Sequence, residues 1–302
     1  MSFVEKVVMA SEGPSFSKLI QGYWRLGSWG MSPQARLTFL KQHVELGIST
    51  IDNAAIYDNS EVLFGEALKL DSSMRDKIEI ISKFGINGIA SSPGEKHVSH
   101  YDSSKSAIIT STENSLRRLG VEKLDALLVH RPDFLMHADQ VAAAFWELKQ
   151  SGKVDHFGVS NFTPSQFSLL QSRLDKPLIT NQVEINQINT HNIENGVLDQ
   201  LQEYRVRPMA WSCLAGGAIF NEQSPQISRL CRCLNEVAKE MGATAITQVM
   251  FAWILKHPSK PVALIGSGKI TRVHNAVAAL TLKMSNEQWY RIWVASKGSP
   301  VP

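Results

Sequence analysis

The strongest constraint on the fold is an alternation of two hydrophobic periods. Short β-branched or apolar runs recur at 19–24 (LIQGYW), 48–54 (ISTIDNA), 78–84 (IEIISKF), 124–130 (LDALLVH), 155–161 (DHFGVSN), 178–184 (LITNQVE), 206–212 (VRPMAWS) and 262–267 (VALIGS). Between them lie segments with helical spacing. Val141, Ala144, Phe145 and Leu148 fall at i, i+3, i+4 and i+7 of 139–150. Leu37, Leu40 and Val44 form a stripe in 33–47, opened by Ser32-Pro33 and closed by Gly47. A further helix is expected from Ser103 to Gly120, and another from Pro164 behind Thr163. Strands alternating with helices argue for a parallel sheet. Eight such units in about 250 residues match the dimensions of a (β/α)8 barrel of the TIM type. An open doubly wound sheet would carry a G-x-G-x-x-G turn after its first strand, and GYWRLGSWG lacks that spacing. No linker or low-complexity segment intervenes. The expectation is an α/β fold, one (β/α)8 barrel domain over 1–302, with its active site at the C-terminal rim of the strands.

Composition removes several function classes. Hydrophobic residues make 43% and charged residues 20% of the 302, an ordinary globular balance. A net charge of +3 without a dense basic run gives no footprint for nucleic acid. No stretch of eighteen apolar residues exists to span a membrane. The opening MSFVEKVVMASEG is a poor signal peptide, so a cytoplasmic location is expected. The three cysteines, Cys213, Cys231 and Cys233, are too few and too unevenly spaced for a disulfide framework or a zinc site, and no metal is expected.

The segment 263–272, ALIGSGKITR, resembles a nucleotide-phosphate loop but fails its test. Ala263 stands where the first Gly belongs, and Ile270 follows Lys269 where Ser or Thr would hold magnesium. Ser267, Lys269 and Arg272 therefore need another explanation.

In a barrel the chemistry gathers where strands end. Strand two delivers Asp52 with Tyr57 behind it, strand three Lys83, strand four His130, and strand five Ser160-Asn161. Strand six carries Gln182, and strand seven Trp211-Ser212. A phenol with a pKa near 10 is a poor acid at neutral pH. A Lys ammonium beside it lowers that pKa, and an Asp holds the Lys charged. Such a Tyr can give a proton to a carbonyl oxygen, with His130 supplying a second hydrogen bond to the same oxygen. No nucleophile accompanies the set, which suggests hydride delivered by a nicotinamide.

The residues that carry a family resemblance are IDNAAIY (51–57), SEVLFG (60–65), SKF (82–84), LLVHRPD (127–133), GVSN (158–161), NQVEIN (181–186) and GSGKITR (266–272). Together they resemble the aldo-keto reductases over nearly the whole chain. The resemblance implies a barrel that binds NADPH across its rim and reduces small-molecule carbonyl compounds. It makes Tyr57 the acid, Lys83 and Asp52 its tuning pair, and His130 the carbonyl-orienting group. It assigns Ser160, Asn161 and Gln182 to the nicotinamide amide and Trp211 to its ring. Gly22, Tyr23 and Trp24 would lie near the cofactor. Ser212, Leu214 and Gly216 would follow the pyrophosphate. Ser267, Gly268, Lys269 and Arg272 would hold the adenosine 2′-phosphate, so NADPH should be preferred to NADH. Asn275 would lie on the adenine side.

Three positions depart from the family pattern, one of them His274 before Asn275, where many members have Glu. Asn53 stands for the usual Thr, and Asp58 for the usual Gly, with an expected upward push on the Tyr57 pKa if it lies close. The substrate pocket is expected from Trp24, Ile56, Asn59, Arg131 and the loop 85–101, which holds His97 and His100. Substrate identity stops at "aldehyde or ketone". The sequence does not set the oligomeric state, and a monomer suffices for this reading. The rival reading is an NADPH-binding regulatory subunit with little turnover.

Overall fold

In the computed structural model, which describes residues 3–88, 98–221 and 223–301, eight parallel strands close into a barrel. They are β1 (Leu19–Gly22), β2 (Thr50–Asp52), β3 (Glu79–Phe84), β4 (Leu124–Val129), β5 (Val154–Ser160), β6 (Asn181–Glu184), β7 (Met209–Trp211) and β8 (Val262–Ile265). Each pairs with its sequence neighbour, and β8 closes on β1 through Leu264 opposite Ile20. Every expected run holds a strand, most of them shorter than the run. Closure leaves no exposed edge, which excludes the open-sheet alternative.

The barrel has two apolar layers. Its lumen is filled by Ile20, Ile81, Ala126, Leu128, Met209 and Val262. An N-terminal hairpin, Lys6–Val8 with Ser15–Ser17, leads directly into β1 and adds Met9 and Phe16 to this cluster. The hairpin thus plugs the end where the strands begin, leaving the end where they finish for chemistry. The second layer packs helices on the outer strand faces. Helix Ala138–Gln150 buries Val141, Ala144, Phe145 and Leu148 as its period demands, and Phe145 stacks on Phe157 of β5 with centroids 4.1 Å apart. Truncating such a ring costs about 3–5 kcal/mol.

Helix Pro33–Glu45 begins as expected, with Ser32 Oγ accepting from Ala35 N–H, and Gly47 follows it at φ 87°. Its inward face differs from the expected stripe. Arg36, Phe39, Leu40 and His43 are buried, whereas Leu37 and Val44 are only half-buried. Two polar residues occupy the inner face because each finds partners there. Arg36 donates to the carbonyls of Met31 and Leu63 and pairs with Glu66. His43 bonds the Tyr23 hydroxyl and the Ile48 carbonyl. The next expected helix runs Lys105–Leu119 and is capped by Ser104, not Ser103. Ser103 is spent on Asp133, whose carboxylate accepts from both its backbone N–H and its hydroxyl. Helix Pro164–Gln171 opens with a reciprocal cap between Thr163 and Gln166. Among the described residues no helix is long and apolar enough to cross a membrane.

Candidate active site

Strand alternation decides what reaches the rim of the lumen. Ile81 lines the lumen, so Lys83, two residues on, faces the same way one layer higher. Ser82 then faces outward, where its hydroxyl donates to Glu61 Oε1 at 2.6 Å. The same rule carries Leu128 to His130 and Met209 to Trp211. Asp52 ends β2 opposite Ile81, beside Lys83.

The four sequence-predicted reacting groups come together. Lys83 Nζ donates to Asp52 Oδ2 at 2.7 Å, to the Asn53 carbonyl at 2.8 Å and to the Tyr57 hydroxyl at 3.1 Å. These three acceptors use all the protons of its ammonium. Asp52 Oδ1 accepts from Gln182 Nε2 at 2.7 Å, across the lumen from β6. The rings of Tyr57 and His130 meet edge to face with centroids 5.5 Å apart.

Electrostatics at the rim follow from burial first. Burial pushes the Tyr57 phenol above its ordinary value of 10; Lys83 pulls it down and Asp52 pushes it up. The net direction is upward, so Tyr57 holds its proton at neutral pH, and the expected lowering by Lys83 is outweighed. Asp58 is not the carboxylate that raises it. That side chain is exposed, turned toward Gly27, and accepts from Asn59 Nδ2. His130 is held well below its ordinary 6.5 by burial, then by the charges of Lys83 and Arg131, and is therefore neutral. Lys83 is raised: Asp52 and Tyr57 outweigh the burial that opposes its charge.

The expected cofactor residues divide. Ser160, Asn161 and Trp211 form one chain: the Asn161 amide donates to Ser160 Oγ at 2.8 Å and accepts from Trp211 Nε1 at 3.1 Å. Gly22 sits at the rim opposite Asp52. Tyr23 turns its side chain away from the rim. Following Gly22 by one residue, it faces outward, is buried against Trp29, Phe39 and Phe64, and bonds His43. It can meet a cofactor only through its backbone. Trp24, 63% exposed, lies at the mouth with its ring 6.4 Å from that of Tyr57. Asn275 is half-buried and accepts from Gln248 at 3.5 Å, toward the neighbouring helix. Of the expected pocket residues, Ile56 and Arg131 are half-buried and Asn59 is exposed. His97 and most of the loop 85–101 lie outside the described residues, and His100 is exposed on a two-residue strand.

A phosphate-bearing cofactor fits the β7–β8–β1 side of the rim. After β7, Ser212, Ala215, Gly216 and Gly217 all adopt positive φ, near Leu214. The Ala215 and Gly217 N–H groups close this turn on the Ser212 and Leu214 carbonyls, and Gly216 and Gly217 keep side-chain bulk out of a phosphate's way. After β8, helix Ile270–Ala278 starts at Lys269 without a side-chain cap, so its first N–H groups stay available to an anion. Lys269 and Arg272 are exposed there, with no carboxylate partner among the described residues. Ser267 Oγ accepts from the Lys269 N–H. Gly268 must be glycine, since a Cβ would lie 2.5 Å from the Trp29 ring.

The family model for the aldo/keto reductase family matches residues 18–296. The chain belongs to the aldo/keto reductase family. It is 51% identical to oxidoreductase YdhF of Escherichia coli (strain K12), over 99% of this chain and 100% of that one. It is 38% identical to a 6-dehydroglucose reductase of Agrobacterium fabrum, over 97% of this chain and 99% of that one. Among solved structures it resembles an aldo/keto reductase from Klebsiella pneumoniae in complex with NADP and acetate, with TM-score 0.78 and 25% identity over 99% and 97% of the two chains.

Several motif residues of this aldo/keto reductase turn out to be scaffold. Ser60 Oγ donates to the Tyr23 carbonyl, and Glu61 pairs with Arg118 while accepting from Ser82. Gly65 lets two helices touch, because a Cβ there would lie 2.5 Å from the Arg118 carbonyl. Gly158 is similarly enclosed by Leu128 and Thr180. Two contributors escaped the sequence reading. The Asn53 backbone carbonyl holds Lys83, and Arg25 reaches the Gly216 turn. Only its position beside Trp24 could have pointed to Arg25.

Proposed function

We propose that this chain is an NADPH-dependent carbonyl reductase in which Tyr57 is the proton donor. The observation that carries the reading is the three-way grip of Lys83 on Asp52, Asn53 and Tyr57. The cofactor supplies the hydride. Tyr57 keeps its proton until negative charge grows on the carbonyl oxygen, and the ammonium 3.1 Å away then favours the phenolate that remains. Neutral His130 donates a hydrogen bond to the same oxygen and adds no charge of its own. Asp52, fixed by Gln182, keeps Lys83 charged in a dry site.

On the cofactor side, Ser160, Asn161 and Gln182 are the polar groups for the nicotinamide amide, with Trp211 offering its ring. The turn at 212–217 serves the pyrophosphate, and Ser267, Gly268, Lys269 and Arg272 serve the 2′-phosphate. Two unpaired cations there favour NADPH over NADH. The regulatory reading has less support, because the relatives matched over 97% or more of this chain at 32–51% identity carry the names of enzymes.

The test is a fluorescence titration with NADPH and NADH, followed by NADPH absorbance with a panel of aldehydes, ketones and sugar-derived carbonyl compounds. The panel includes sugars because of the Agrobacterium relative's name. NADPH binding with turnover is the expected result. Binding without turnover on any member of the panel would return the regulatory reading.

A further inference from the structure

Arg131 is the charge at the rim that the reaction above leaves unexplained. It follows His130 directly, is half-buried, and rests its guanidinium 5.6 Å from the centroid of the Trp211 ring. Among the described residues it has no carboxylate partner and no hydrogen bond. The acid of the site, Asp52, is already committed to Lys83 and Gln182. Removing a cation from water without an opposing charge is costly, and the cost is recovered when an anion binds.

The cofactor's phosphates are poorly placed to be that anion. Their expected cradle follows β7 and β8, whereas Arg131 follows β4, which stands diametrically opposite β8 in an eight-strand ring. The other unpaired guanidinium of the mouth, Arg25, lies on the cradle side, 3.8 Å from where a Cβ on Gly216 would stand. Arg131 thus reaches inward from β4 to the Trp211 ring, whereas Arg25 stands at the turn beyond it. Its charge is felt at both Tyr57 and His130, the two groups that address the carbonyl oxygen.

We infer that the substrate carries an oxyanion, a carboxylate or a phosphate, close to its carbonyl group, and that Arg131 binds it. This rests on the reductase reading above. The indole beneath the guanidinium leaves its N–H groups unspent, which suits a two-point grip on an oxyanion. Binding the anion here anchors one end of the substrate while His130 and Tyr57 address the carbonyl oxygen at the other.

The experiment compares matched pairs, 4-carboxybenzaldehyde against benzaldehyde and succinic semialdehyde against butanal, by NADPH absorbance. Wild type is expected to favour the acid of each pair by on the order of a hundredfold in kcat/KM. Arg131→Gln should bring that ratio close to one. Arg131→Lys should fall between, keeping the charge and losing the fork. Calorimetry of the same four compounds on protein loaded with oxidised cofactor reads the preference without turnover. Tighter binding of the acids there that is lost in Arg131→Gln supports the inference even if reduction fails, and so separates it from the reductase reading. Equal or better performance of the neutral partners in both measurements, or a preference that survives Arg131→Gln, would overturn it.

Discussion

The Asp52–Lys83 pair offers the most quantitative test of the site. The two side chains are 3% and 0% exposed and lie 2.7 Å apart. In Asp52→Asn, Lys83 keeps only neutral partners, the Asn53 carbonyl and the Tyr57 hydroxyl. In Lys83→Met, Asp52 keeps only the Gln182 amide. Each single change strands one buried charge, at a cost of about 3–5 kcal/mol. For a domain of this size that lowers the melting temperature by on the order of 10 °C. The double variant Asp52→Asn/Lys83→Met strands neither charge. It should be more stable than the summed single costs imply by about 2–3 kcal/mol, the coupling expected of residues in direct contact. Urea unfolding followed by tryptophan fluorescence measures all four proteins. Costs that simply add would show that the pair is solvated or broken in solution, and would remove the basis for a charged Lys83 beside Tyr57.

The kcat/KM for reduction should be flat between pH 6.5 and 10, because His130 titrates below that window and Tyr57 above it; a limb inside the window contradicts the burial of one of them. Lys269→Ala with Arg272→Ala should weaken NADPH by roughly a hundredfold and NADH by far less; equal weakening in a fluorescence titration would separate the segment from the 2′-phosphate. Acid should loosen the fold through His43, which burial holds down at about 4 against an ordinary 6.5. The unfolded chain takes up that proton first, so this stability is complete above pH 6.5 and declines as the pH falls to about 4, by about 3 kcal/mol. Denaturant melts across that range check it, and a pH-independent midpoint would show His43 to be solvated.

Much of this architecture was legible because two periods write it. The strands follow from apolar runs and the helices from 3.6-residue spacing, so all eight strands, four of the helices between them and the four reacting groups at the strand ends could be read. What the sequence concealed came from pairing over long distances. Ser103 and Ser104 are equivalent caps until Asp133, thirty residues on, claims the first. Arg36 and His43 look like surface residues until Glu66 and Tyr23 satisfy them inside. Tyr23 shows a different case: alternation from Gly22 turns its side chain outward and leaves only its backbone at the rim. The left-handed turn at Ser212 and Ala215 could not be read at all, since neither residue type announces positive φ.

The most direct test of the account replaces Tyr57 by Phe and follows two signals on the same preparation, cofactor fluorescence and NADPH consumption. The change removes one hydroxyl and leaves the ring against His130 and Trp24 in place. The account predicts NADPH affinity within about twofold of wild type and a turnover lower by on the order of a thousandfold, the contribution of a positioned proton donor. Turnover that persists in Tyr57→Phe with the cofactor bound would contradict it and move the proton donor elsewhere on the rim.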